Sequence, residues 1–126
     1  MITLTTWIAV VGGAAVGAPL RYLVDRGVTE GVASARNSRQ FPWGLLVVNV
    51  LGSAIAGVVL ATTTGDLRFL LLVGFCGAFT TFSGFGWEAD RLWAEARAVF
   101  WAAVVVMPVL CVAAFLVTWK VASALG

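Results

Sequence analysis

Four runs of predominantly apolar residues, Thr5–Val24, Trp43–Thr64, Phe69–Trp87 and Ala98–Trp119, occupy most of this 126-residue chain. A helix needs roughly 20 such residues to cross the hydrocarbon of a bilayer, so each run is long enough for one crossing. In lipid every backbone N–H and C=O must find a partner within the protein, which leaves only helices and closed barrels. Runs of this length select helices. Charged residues make up 11% of the chain, whereas a soluble domain carries about a quarter. Mean hydropathy is +1.01. The remaining connections are too short for a second domain, so residues 1–126 read as one all-α, four-helix integral membrane unit. Four thin helices cannot easily enclose a polar path while covering their own polar groups. An oligomer, most simply a symmetric dimer, is therefore expected.

The first run does not read as a removable signal peptide: no basic residue precedes it and three further spans follow. Cys76 and Cys111 both fall inside spans, there is no His, and neither a disulfide nor a zinc site is expected. The net charge of +2 comes from scattered residues, so no nucleic-acid partner is expected.

Within the third run, Gly74 to Phe85 holds Gly74, Gly77, Gly84, Thr80, Thr81 and Ser83 among four phenylalanines. A span that only had to dissolve in lipid would use Leu, Ile and Val. Glycines and hydroxyls at this depth point to backbone that leaves the helix, which is tolerated only where the freed groups face protein, ion or water. The third helix is therefore expected to be broken, and the segment reads as the centre of an ion pathway.

The other runs carry smaller signals. Gly13 and Gly17 form a G-x-x-x-G pair that lets helix backbones approach closely, and Pro19 is expected to bend the end of that helix. Residues 25–42, with Asp25, Arg26, Glu30, Arg36 and Arg39, read as a partly ordered surface loop, and Trp43 as an interfacial anchor. In the second run Asn49, Gly52, Ser53, Ala56 and Gly57 share one face of small residues, which turns the Asn49 amide toward protein. Gly65-Asp66 reads as a tight turn. Glu88, Asp90, Arg91, Glu95 and Arg97 alternate in sign as on a solvated helical face. Pro108 is expected to kink the nearly bare fourth span.

Asn49 lies six residues inside the second span and Phe82 six residues before Glu88, each about 9 Å below the same interface at 1.5 Å per residue. Phe85 follows on the same helical face, and Arg21 is near that end too. One end of the bundle thus gathers a cation, an amide, hydroxyls from Thr81 or Ser83, and two aromatic rings with positive edges. Such a set suits a small anion shedding its water. No carboxylate lies within a span, so a proton or cation relay lacks its working group. Taken singly, Asn49 is equally an interhelical hydrogen bond, Phe82 and Phe85 packing aromatics, and Arg21 a snorkelling side chain.

These residues carry a family resemblance. The chain resembles the Fluc (CrcB) fluoride channels through Gly12-Gly13, Gly17-Ala18 and Arg21-Tyr22, through Asn49 with Gly52, and through Gly74-Phe75-Cys76-Gly77 leading into Thr80-Thr81-Phe82-Ser83 and Phe85. The resemblance implies an antiparallel dual-topology dimer with two fluoride pores in a cell membrane, expected to be a bacterial inner membrane. It implies Asn49, Phe82, Phe85, Ser83 and Thr81 as pore residues and Arg21 at an aqueous vestibule. It also implies a central structural sodium ion held by the backbone carbonyls of Gly77 and Thr80. Gly13, Gly17, Gly52 and Gly57 remain packing positions. The implied activity is passive export of cytoplasmic fluoride. The chain departs from the family pattern at Ala78 (commonly Gly), at Gly84 (commonly Thr), and in a fourth span without the usual Tyr and Ser, whose in-span polar residue is Thr118.

Arg26, Arg36, Arg39, Arg91 and Arg97 lie on one side and Arg68 and Lys120 on the other, which by the positive-inside rule puts both termini outside the cytoplasm. A homodimer inserted both ways should show little bias, so the second subunit is either the chain itself or an oppositely oriented homologue. A non-conducting or partner-dependent subunit of a heterodimeric channel is the alternative reading. A small multidrug-type antiporter would need a membrane carboxylate that is absent. An enzyme would need a nucleophile with a base in reach, and none is found.

Overall fold

The computed structural model describes residues 2–35 and 41–126. Every regular element among them is helical: α1 (Leu4–Ala35), α2 (Trp43–Thr62), α3 (Gly65–Arg68), a wide π-helical stretch (Phe69–Cys76), α4 (Gly77–Phe79), α5 (Phe82–Glu95) and α6 (Arg97–Leu125). Four segments are long and apolar enough to cross a membrane: Leu4–Val32, Trp43–Thr62, Gly65–Glu95 and Arg97–Leu125. Few side chains are buried. Trp7, Val11, Val109, Val112 and Val117 are all more than half exposed, an outward face suited to lipid rather than water.

One expectation is corrected in the first helix: Asp25 to Ala35 is helix rather than loop, so Pro19 lies inside the helix and not near its end. The reason is local: Arg26 pairs with Glu30 one turn on (2.7 Å) and donates to the Tyr22 hydroxyl one turn back (2.8 Å), contacts that only a continuing helix brings together. Arg36 and Arg39, expected in the same loop, lie outside the described residues.

The Gly65-Asp66 turn has Gly65 at φ +61°, a left-handed conformation that glycine adopts without penalty. Two side chains lock it. Thr6 donates to Asp66 at 2.7 Å, tying the start of α1 to the turn. Arg68 donates to the carbonyls of Thr63 (2.7 Å) and Leu60 (3.1 Å), groups that the end of α2 would otherwise leave without donors.

Helix α1 crosses the π-helical stretch at backbone contact distance. A β-carbon on Gly13 would stand 3.1 Å from the Cα of Gly74 and on top of the Leu70 carbonyl, and one on Gly17 would strike the Phe75 carbonyl. Helix α2 lies between α1 and α6. A β-carbon on Gly57 would meet the Thr118 hydroxyl and the Phe115 carbonyl of α6. Thr118 itself donates to the carbonyls of Ala114 and Phe115, so its hydroxyl is engaged within its own helix. Leu45, Leu46, Leu92, Ala103 and Met107 form the apolar core joining α2, α5 and α6. Pro108 lies inside α6.

Candidate functional site

The third span breaks at Thr80 and Thr81, whose backbones are extended (φ −86°, ψ 164° and φ −149°, ψ 120°) between α4 and α5. The glycines do not make this break; side chains do. Asn49 reaches across from α2 and pairs with Thr81 as a neighbouring strand would. The Thr81 N–H donates to Asn49 Oδ1 at 2.8 Å, and Asn49 Nδ2 donates to the Thr81 carbonyl at 3.2 Å. The Thr81 hydroxyl accepts the Gly84 N–H at 3.0 Å, capping the start of α5, and shares a hydrogen bond with Ser83 (3.2 Å). Thr80 donates to the Cys76 carbonyl at 2.9 Å. Gly52 makes the approach of α2 possible, since a β-carbon there would collide with the Thr80 methyl group.

These bonds change what the backbone offers. In an unbroken helix the Thr81 N–H would serve the Gly77 carbonyl, and the Gly84 N–H would serve that of Thr80. Both donors are diverted, one to the Asn49 amide and one to the Thr81 hydroxyl. The two freed carbonyls are those named from the sequence as cation ligands. Hard oxygen donors of this kind fit a hard cation. Gly77 is exposed, and only the Leu72 carbonyl lies within 4 Å of where its β-carbon would be.

A groove of about 260 Å³ opens in front of the break. Asn49, Phe82 and Phe85 line one part of it, with ring centroids 5.9 Å apart and planes tilted by 40°. Phe82 is 84% exposed, its ring meeting that of Phe85 and otherwise lying open. Ser53, one turn beyond Asn49, and Met107 and Cys111 of α6 line the rest. A second cavity, about 730 Å³, holds Arg21, Asp25, Ser83, Glu88 and Arg91. Thr81 lines both, so the break stands between the two spaces. Arg91 is paired with Glu88 (2.6 Å) and Glu95 (2.9 Å), and Arg97 stacks on Trp93 at 4.3 Å, so this face is partly packed rather than simply solvated. Arg21 makes no ion pair among the described residues, which leaves its charge to act on the cavity.

The structure thus brings Asn49, Thr81, Phe82 and Phe85 together, puts Ser83 and Arg21 in the adjoining cavity, and leaves Gly13, Gly17 and Gly57 at helix crossings outside both. Sequence reasoning missed Met107 and Cys111, because an almost uniformly apolar helix carries no sign of which face it turns to a groove. It noticed Ser53 only as a small residue. The π-helical stretch had no signal at all.

The sequence profile of the family described as CrcB-like protein, Camphor Resistance (CrcB), matches residues 8–120. The chain is 40% identical over 102 residues to "Fluoride-specific ion channel FluC 1" of Streptomyces avermitilis, covering 77% of each chain. It is 34% identical over 113 residues to "Fluoride-specific ion channel FluC" of Rhodospirillum rubrum, covering 83% of this chain and 84% of that one. The protein of the same name from Koribacter versatilis is 33% identical over 117 residues, 87% of each.

Proposed function

The chain belongs to the CrcB family, and from that premise we propose that it is a fluoride-selective channel through which cytoplasmic fluoride leaves the cell passively. The observation that carries this reading is the pairing of Asn49 with the Thr81 backbone at the mouth of a groove walled by Phe82 and Phe85. An anion entering from the Arg21 cavity loses water and needs donors in its place. Asn49 has a second amide hydrogen beyond the one given to Thr81, Ser83 has a hydroxyl, and the ring edges of Phe82 and Phe85 are positive. None of these is a full charge, so the anion is held weakly enough to move on, as conduction requires.

The carbonyls of Gly77 and Thr80 would hold a sodium ion, which supplies a fixed positive charge beside the break and ties it in place. The chain's part is to keep both carbonyls free, through Asn49 and the Thr81 hydroxyl. The exposure of Gly77 and Phe82 supports a second subunit, and we propose an antiparallel dual-topology dimer in the plasma membrane.

The test is fluoride efflux from liposomes holding the purified chain, followed with a fluoride electrode and with chloride as control. Fast loss of fluoride with little loss of chloride is expected, and Asn49→Asp, which puts a negative charge at the groove, should suppress it. The uneven loop charge favours one second reading, a subunit that conducts only beside an oppositely oriented homologue. Efflux appearing only on co-reconstitution would select that reading, and no efflux in either arrangement would overturn both.

A further inference from the structure

The groove contains more polar groups than it has free donors. Thr80 gives its hydroxyl hydrogen to Cys76, the Thr81 hydroxyl is engaged with Gly84 and Ser83, and the Asn49 amide gives one hydrogen and its oxygen to Thr81. Ser53 is different. It lines the same groove and is half-buried, yet among the described residues its hydroxyl has no hydrogen-bond partner, not even a carbonyl of its own helix. Several hydroxyls inside the bundle bond back one turn, as those of Thr62, Thr80 and Thr118 do. An idle hydroxyl at bilayer depth is costly unless something in the groove serves it.

Resting on the channel reading above, we infer that Ser53 is a further anion-contacting residue, the next donor that a small, partly dehydrated monovalent anion meets after Asn49. The two residues are four apart on one face of α2, a separation of about 6 Å along the helix. An anion leaving the Asn49 amide therefore finds a neutral O–H within one short step. The α6 lining of the groove is Met107, Pro108 and Cys111, of which only the Cys111 thiol is a donor and a weak one, so the Ser53 hydroxyl is the dominant partner there. A compact O–H donor favours the anion of highest charge density, which makes this step a point of discrimination between fluoride and chloride.

The experiment compares the unmodified chain with Ser53→Ala and Ser53→Thr, in whichever liposome reconstitution conducts, after gel filtration and thermal melting have shown the three to be alike. Ser53→Ala is expected to lower fluoride efflux about tenfold, the loss of one hydrogen bond to a charged partner, while Ser53→Thr, which keeps the hydroxyl, recovers most of it. Undiminished efflux in Ser53→Ala overturns the inference and leaves the channel reading standing. Equal impairment of both variants overturns it too, since packing and not donation would then be at fault. No fluoride efflux from the unmodified chain in any arrangement overturns the channel reading and this inference together.

Discussion

Asn49 does two jobs with one side chain. Its oxygen and one amide hydrogen hold the Thr81 peptide in an extended conformation, which leaves one amide hydrogen to spare on a residue that lines the groove. Removing it in Asn49→Ala should let the Thr81 N–H return to the Gly77 carbonyl, closing the break. The measurable result is that sodium, compared with a bulky organic cation, no longer raises the thermal unfolding midpoint as it should in the unmodified protein. Thr81 offers a gentler probe. Its hydroxyl caps α5 through Gly84, so Thr81→Val should destabilise by about 1 kcal/mol in chemical denaturation while Thr81→Ser does not. The gathering of Asn49, Thr81 and Phe82 at similar depth, with Phe85 shallower, was legible in the sequence, because helical rise converts residue number directly into depth. Their mutual hydrogen bonds were not, since nothing in a linear pattern says which backbone a side-chain amide will capture.

At the scale of elements, closeness of approach decides the architecture. Gly13 and Gly74 bring α1 and the π-helical stretch into backbone contact, whereas the neighbouring Gly12 has nothing within 4 Å of its missing side chain. Gly13→Ala should therefore destabilise by about 1–3 kcal/mol and lower the yield of monodisperse protein, because both helix backbones must shift. Gly12→Ala should be neutral or stabilising by up to about 1 kcal/mol, since it gains helix propensity in open space. Thermal melts of the two single variants side by side make the comparison. The G-x-x-x-G spacing already pointed to this crossing. It did not reveal the partner, nor that the partner helix is wound wide over Phe69–Cys76, a change that leaves no residue-level mark.

For the whole molecule, the placement of charge governs orientation. The described part of the chain places Arg26, Arg91 and Arg97 on helix segments at one end and Arg68 beside the opposite turn, consistent with the uneven loop charge read from the sequence. Alkaline phosphatase fused after Gly126 should be active if the charge bias sends the C-terminus out of the cytoplasm. A cytoplasm-only fluorescent reporter at the same position should stay dark. If both reporters give signal, the chain inserts both ways and can pair with itself; if only the phosphatase does, an oppositely oriented partner is required.

Hydrophobic run length by itself determined that this chain forms four membrane helices, because lipid leaves the backbone no other way to satisfy its hydrogen bonds. Sequence motifs likewise located the segment in which the third span breaks and the crossing glycines. Tertiary structure alone decided where the third helix opens, at Thr80-Thr81 and not at a glycine, because the competing acceptor comes from α2. It alone decided that Ser53 and Cys111 share a groove. Both outcomes depend on which faces meet when helices pack, and an apolar helix presents nearly the same sequence on every side.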